Sequence, residues 1–92
     1  MAQPIVEFRI SRHARLEMRR RALEIATVAK VLMAPEQRER VRPGRDVLQS
    51  RINFAGRWYL VRVFVDVDRR PPVVVTAYRT SKIAKYGKRV PP

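Results

Sequence analysis

His13 is the chain's one histidine, and it stands in a run of arginines. Arg9, Arg12, Arg15, Arg19, Arg20 and Arg21 lie within thirteen residues of one another, against the single acid Glu17. A second cluster, Tyr78-Arg79-Thr80-Ser81-Lys82-Ile83-Ala84-Lys85-Tyr86-Gly87-Lys88-Arg89, holds five basic residues, two tyrosines and no acid. Histidine transfers protons near neutral pH, arginine grips phosphate, and tyrosines among cations supply stacking platforms for single-stranded RNA. The plain alternatives are a solvated basic helix face, a packing or capping histidine, and a floppy basic tail.

RNA can be cleaved without a metal when the neighbouring 2′-hydroxyl attacks the phosphorus. That reaction needs a base for the hydroxyl proton, an acid for the leaving 5′-oxygen, and cations for the phosphorane. One histidine does not readily serve both proton steps, so Tyr78, Tyr86 or a lysine would share the work. Other chemistries fit less well. Gly44, Gly56 and Gly87 are isolated, so there is no glycine-rich phosphate loop. No nucleophile elbow accompanies the histidine. With no cysteine there is no thiolate nucleophile, disulfide framework or cysteine-based zinc site. One histidine and eight scattered carboxylates argue against a structural metal, and Asp66 with Asp68 is a weak metal signal. No cofactor is expected.

The 92 residues make one domain with a thin core, and a hydrophobic share of 46% is that of a globular chain. The net charge of +13 favours a polyanionic partner: nucleic acid, an anionic membrane or an acidic protein. Seventeen of the 21 basic residues are arginine, which suits bidentate phosphate contact but also follows from GC-rich coding sequence. Met1-Ala2-Gln3-Pro4 carries no apolar signal region, and no apolar run nears the roughly 18–20 residues of a membrane span. A soluble intracellular protein, hence a cytoplasmic one with no membrane partner, is expected.

The elements that must position these residues follow from periodicity. Residues 5–10 read as a short strand or an extended arm. Ser11 is a candidate N-cap for a helix over about 12–21, on which Ala14, Met18 and Ala22 form a narrow apolar stripe beside Arg12, Arg15 and Arg19. A second helix over about 24–33 carries Ile25, Val28, Val31 and Leu32, and Pro35 ends it. Period-two strands follow at 37–42, 46–54, 58–67 and 73–79, separated by Pro43-Gly44, Ala55-Gly56-Arg57 and Asp68 to Pro72. Apolar groups on both faces of 58–67 mark a central strand. A basic tail, residues 80–92, closes the chain with at most one helical turn. Arg79, Lys82 and Lys85, three residues apart, would share one side of such a turn. The result is an α+β domain: two N-terminal helices (11–34) on one side of a small antiparallel meander of about four strands (37–79).

His13-Ala14, Met18, Arg21 and Leu23, the second helix and Ala34-Pro35-Glu36 resemble the opening motif of a small bacterial family known as a domain of unknown function. The closing Val75-Thr76-Ala77-Tyr78-Arg79-Thr80-Ser81-Lys82-Ile83 with Lys85-Tyr86 is similar to that family's ending, so the resemblance spans about residues 8–87. Ala22 departs from the family's usual glycine, and Glu17 from a polar or basic residue. The resemblance implies the RelE/ParE-like toxin superfamily, with the barnase–EndoU–colicin–RelE ribonuclease fold. Helices there cover one side of an antiparallel sheet and the other side meets RNA. RelE-type members cleave mRNA, often in the ribosome; ParE-type members act on gyrase; acidic antitoxins silence both.

The expectation is therefore a toxin-like, metal-independent endoribonuclease acting on mRNA, free or ribosome-bound, and partnered by an acidic antitoxin. His13 would be general base or acid, and Tyr78 and Tyr86 would transfer protons or stack. Arg62, Arg79 and Lys82 would stabilise phosphate charge, while Arg12, Arg15, Arg19 and Lys85 hold the RNA backbone. Arg62 enters because a cation among apolar strand residues needs a reason to be there, an ion pair with Asp46 or Asp66 being the structural alternative. The competing readings are a non-catalytic basic nucleic-acid-binding module and a ParE-like toxin with a protein target such as gyrase.

Overall fold

The computed structural model describes residues 2–86; Lys88, Arg89 and the closing Pro91-Pro92 lie outside the described residues. Helix α1 (Arg12–Arg20) starts where the Ser11 hydroxyl accepts the Ala14 amide at 3.0 Å, satisfying an otherwise orphaned donor. It ends in a Schellman motif. Leu23 N–H donates to Met18 O at 2.8 Å, Ala22 N–H donates to Arg19 O at 3.2 Å, and Ala22 takes φ 51° between them. The left-handed turn thus forms on alanine where the resembling family has glycine. Met18 and Leu23, the residues that flank the turn, are both buried. Helix α2 (Ile25–Met33) buries Val28, Val31 and Leu32 but leaves Ile25 exposed, so the apolar stripe is narrower than its sequence reading.

The sheet has five strands, not about four, and it is mixed. β1 (Arg9–Ile10) precedes α1; β2 (Gln37–Arg42), β3 (Arg45–Phe54), β4 (Arg57–Asp66) and β5 (Val73–Thr80) follow α2. The order is β1-β5-β4-β3-β2. β2 to β5 form the expected antiparallel meander, and β1 joins it parallel to β5. Arg9 N–H donates to Pro72 O at 2.8 Å and Ser11 N–H to Val74 O at 3.0 Å, so two residues suffice to dock the arm. Nor are the helices only N-terminal: a single turn, α3 (Ile83–Tyr86), follows β5. The β3–β4 hairpin closes on Ala55 (φ 52°) and Gly56 (φ 88°), the paired positive φ values of a type I′ turn, and Asn53 Oδ1 accepts Gly56 N–H at 2.8 Å.

That two-residue turn fixes every pairing along the hairpin. Val61, Val63 and Val65 alternate onto one sheet face with Leu48, Val74 and Ala77, and this face packs against Ala14, Met18, Leu23, Val28, Val31 and Leu32. The opposite face carries Gln49, Leu60, Arg62, Phe64 and Tyr78, and α3 meets β4. The core is therefore one layer thick, between the sheet and the α1–α2 pair.

Candidate nucleic-acid interface

Register builds the site. Gln37 pairs with Gln49, Gln49 with Arg62 and Arg62 with Tyr78, so four polar side chains form one row across β2, β3, β4 and β5 on the face away from α1 and α2. The row is bonded along its length. Arg62 donates Nε–H to Gln49 Oε1 at 2.8 Å and Nη1–H to the Tyr78 hydroxyl at 2.6 Å. Gln49, 2% exposed, donates from Nε2 to Gln37 Oε1 at 2.6 Å and to the Tyr86 carbonyl at 3.0 Å. That last bond ties α3 to the sheet.

Aromatic rings surround the Arg62 guanidinium. Its carbon lies 4.6 Å from the Tyr86 centroid, 5.2 Å from Phe64 and 5.8 Å from Tyr78, distances at which ring quadrupoles attract a cation. Phe64 stacks with Tyr78, Tyr78 meets Tyr86 edge to face, and Lys85 Nζ is 5.2 Å from the Tyr86 centroid. Among the described residues Arg62 meets no carboxylate. The sequence alternative for it does not form: Asp46 is held by Arg38 (2.9 Å) and Arg40 (2.6 Å), and Asp66 by Arg45 (2.6 Å). A half-buried guanidinium with neutral partners and no counter-ion among the described residues leaves its positive field for an incoming anion.

The other candidates divide by place. Tyr78, Tyr86 and Arg62 are together, with Lys85 beside them. Arg79 is not with them: β5 runs to Thr80, so residues 78 and 79 point to opposite faces, and Arg79 lies over Phe54 (4.6 Å) and Tyr59 (4.9 Å). The shared helical side expected for Arg79, Lys82 and Lys85 is absent because α3 starts only at Ile83; Lys82 is exposed in the connection.

His13 is 72% exposed on α1, with Nε2 3.9 Å from Glu17 Oε1. Glu17 accepts from Arg21 Nη2 at 3.3 Å, and Arg21 donates from Nη1 to Ala77 O at 2.9 Å while its guanidinium carbon lies 5.9 Å from the Tyr78 centroid. Two residues, Glu17 and Arg21, thus separate His13 from Tyr78. Arg12, Arg15 and Arg19 are exposed on α1, and Arg15 and Arg19 border a cavity of about 630 Å³ floored by Met18, Leu23 and Ile25. No group of three or more His, Asp or Glu side chains is placed for a metal ion among the described residues.

Sequence reasoning missed Gln49, Gln37 and Phe64 as site residues, and named Arg21 only as part of the arginine run and the family motif. The Gln49–Arg62 pair was legible: a two-residue turn at Ala55-Gly56 by itself sets those positions opposite each other. The Arg21 bond to Ala77 O spans 56 positions and had no local signal.

A family model described as a domain of unknown function, DUF4258, matches residues 10–79. The matched span runs from the end of β1 to Arg79 and stops short of α3. No curated protein and no solved structure matches the chain.

Proposed function

The chain belongs to the DUF4258 family, and we propose that it is a toxin-like, metal-independent endoribonuclease of RelE/ParE-like architecture acting on mRNA. One observation carries this reading: Arg62, without a carboxylate partner among the described residues, is held by Gln49 and Tyr78 under three aromatic rings. A phosphate is the anion that a forked, preset guanidinium in a chain of net charge +13 is suited to receive. In the proposed reaction the 2′-hydroxyl oxygen bonds to phosphorus and the bond to the 5′-oxygen breaks, giving a 2′,3′-cyclic phosphate and a 5′-hydroxyl. Tyr78 gives its proton to the departing 5′-oxygen. The phenolate left behind lies against Arg62 Nη1, which stabilises it together with the phosphorane. The 2′-hydroxyl proton passes to solvent, because His13, beyond Glu17 and Arg21, does not reach the phosphorus that Arg62 and Tyr78 flank. The RNA runs past Arg21 along the outer edge of β5. Lys85 and the α1 arginines hold the backbone on either side. The α1–α2 cavity, apolar in its floor and bordered by Arg15 and Arg19, is where this reading seats an acidic antitoxin.

A second reading has its own support. His13 touches none of Arg62, Tyr78 or Tyr86, which favours a non-catalytic module that binds RNA through the same row. Incubation of the purified protein with single-stranded RNA in excess chelator separates the two. Cyclic-phosphate ends that decline about 10²–10³-fold in Arg62→Ala support the nuclease. RNA that is retained in a mobility shift but stays intact supports the binding module. No retention of RNA overturns both and directs attention to a protein target such as gyrase.

A further inference from the structure

Trp58 is 57% exposed, the most solvent-facing aromatic surface on the sheet's open side. It lies on β4 four residues from Arg62 and, by the alternation of the strand, on the same face. At about 3.3 Å per residue the two are roughly 13 Å apart along β4, a span that a short run of extended nucleotides covers. Trp58 adjoins a cavity of about 620 Å³ lined also by Glu36, Arg51 and Ile83. That volume is within the range of about 300–1,000 Å³ typical of small-molecule sites.

The polar wall of the cavity is an ion pair bonded at three points. Glu36 Oε1 accepts from the Arg51 amide at 2.7 Å and from Arg51 Nε at 3.2 Å, and Oε2 accepts from Arg51 Nη2 at 2.9 Å. This bonding to Arg51 holds the Glu36 carboxyl below its ordinary range, and acceptor and donor groups stand side by side. Ile83 brings an apolar wall from α3.

We propose that the cavity formed by Trp58, Ile83 and the Arg51–Glu36 pair is a nucleobase pocket, in which Trp58 stacks on an unpaired base of the RNA strand whose phosphate Arg62 holds. The pocket rests on the RNA reading above and adds a base-binding function to it. Planarity and charge select the occupant: an exposed indole face offers stacking to any base, and the ion pair meets a base edge, which carries both donors and acceptors. The chain's positive charge admits the attached phosphates and disfavours a cationic ligand.

Trp58 is the chain's one tryptophan, so tryptophan emission, excited where its tyrosines do not absorb, reports this site alone. The full chain is titrated with a single-stranded RNA oligonucleotide and with an abasic strand of equal length, and retention is measured in parallel. Saturable quenching by the RNA but not by the abasic strand is expected. Trp58→Ala is expected to weaken RNA binding about 5- to 150-fold, Trp58→Phe to retain most of it, and abasic-strand binding to stay equal in all three proteins. Thermal unfolding midpoints equal to wild type show that the variants are folded. If RNA is retained in an Arg62-dependent way while emission is unmoved and Trp58→Ala binds like wild type, the pocket is overturned and the RNA reading stands. If no RNA is retained by wild type, both fall.

Discussion

Arg62 shows how much a single side chain's partners decide. Three acidic residues near it in sequence or across the sheet already have arginines: Asp46 has Arg38 and Arg40, Asp66 has Arg45, and Glu36 has Arg51. The guanidinium of Arg62 has an amide oxygen and a phenol instead. Lysine keeps the charge but cannot make the two-pronged contact to Gln49 and Tyr78 together. Arg62→Lys should therefore weaken RNA binding and reduce any cleavage, though less than Arg62→Ala. Tyr78→Phe removes the hydroxyl and keeps the ring. It should leave retention of RNA within a few-fold of wild type and lower the cleavage rate about 10²-fold or more, which a comparison of retention with single-turnover cleavage would show. Equal losses in both measurements would instead give Tyr78 a binding role. The sequence flagged Arg62 as an anomaly among apolar residues. It flagged Tyr78 and Tyr86 separately but not Gln49 or the grouping, because those partners come from β3, β5 and α3.

At the scale of elements, α1 is set by its two ends. Ser11→Ala should destabilise the fold by about 1 kcal/mol, since the Ala14 amide loses its acceptor. Ala22 holds a left-handed conformation that costs an L-residue about 1–2 kcal/mol, and its side chain is exposed. Ala22→Gly should raise stability by up to about 1 kcal/mol, less than that cost because glycine also gains freedom in the unfolded chain. Thermal or denaturant unfolding measures both. The same elements show what periodicity could and could not reveal. The helices, the four meander strands and their turns follow directly from spacing in the sequence. β1 is shorter than the strand or arm that residues 5–10 suggest, and its parallel pairing with β5, far along the chain, has no local signal. The three-residue spacing of Arg79, Lys82 and Lys85 suggests one helical side, but β5 runs on to Thr80 and overrides it. The site's row was recoverable only where a tight turn sets register, between β3 and β4.

Across the whole molecule the charge is less diffuse than its sum suggests. Carboxylates neutralise arginines mainly on the β2–β3 side and along α1, while Arg62 and Lys85 are set among rings on the open face. The pairing also makes the fold acid-sensitive. Asp46 is pushed up by burial but pulled down further by its bonds to Arg38 and Arg40; Asp66 is lowered by Arg45 and Glu36 by Arg51. A carboxyl lowered in the folded state contributes stability that is fully present above its ordinary pKa of about 4 and is lost as pH falls through the lowered value. Unfolding midpoints should hold steady down to about pH 5 and then fall, and Asp46→Asn should flatten part of that fall. A midpoint independent of pH across this acid range would contradict the pairing. No helix of the described residues is long and apolar enough to cross a membrane, which fits the absence of such a run in the sequence.

The claim that Arg62 receives an RNA phosphate is tested most directly by the salt dependence of binding. Affinity for a single-stranded RNA is measured across a series of monovalent salt concentrations for wild type and Arg62→Gln. Each phosphate contact on a single strand contributes about −0.7 to the slope of log affinity against log salt. The account predicts weaker binding for Arg62→Gln and a slope shallower by about 0.7, with the remaining slope kept by the other cations. An unchanged slope with unchanged affinity would contradict it.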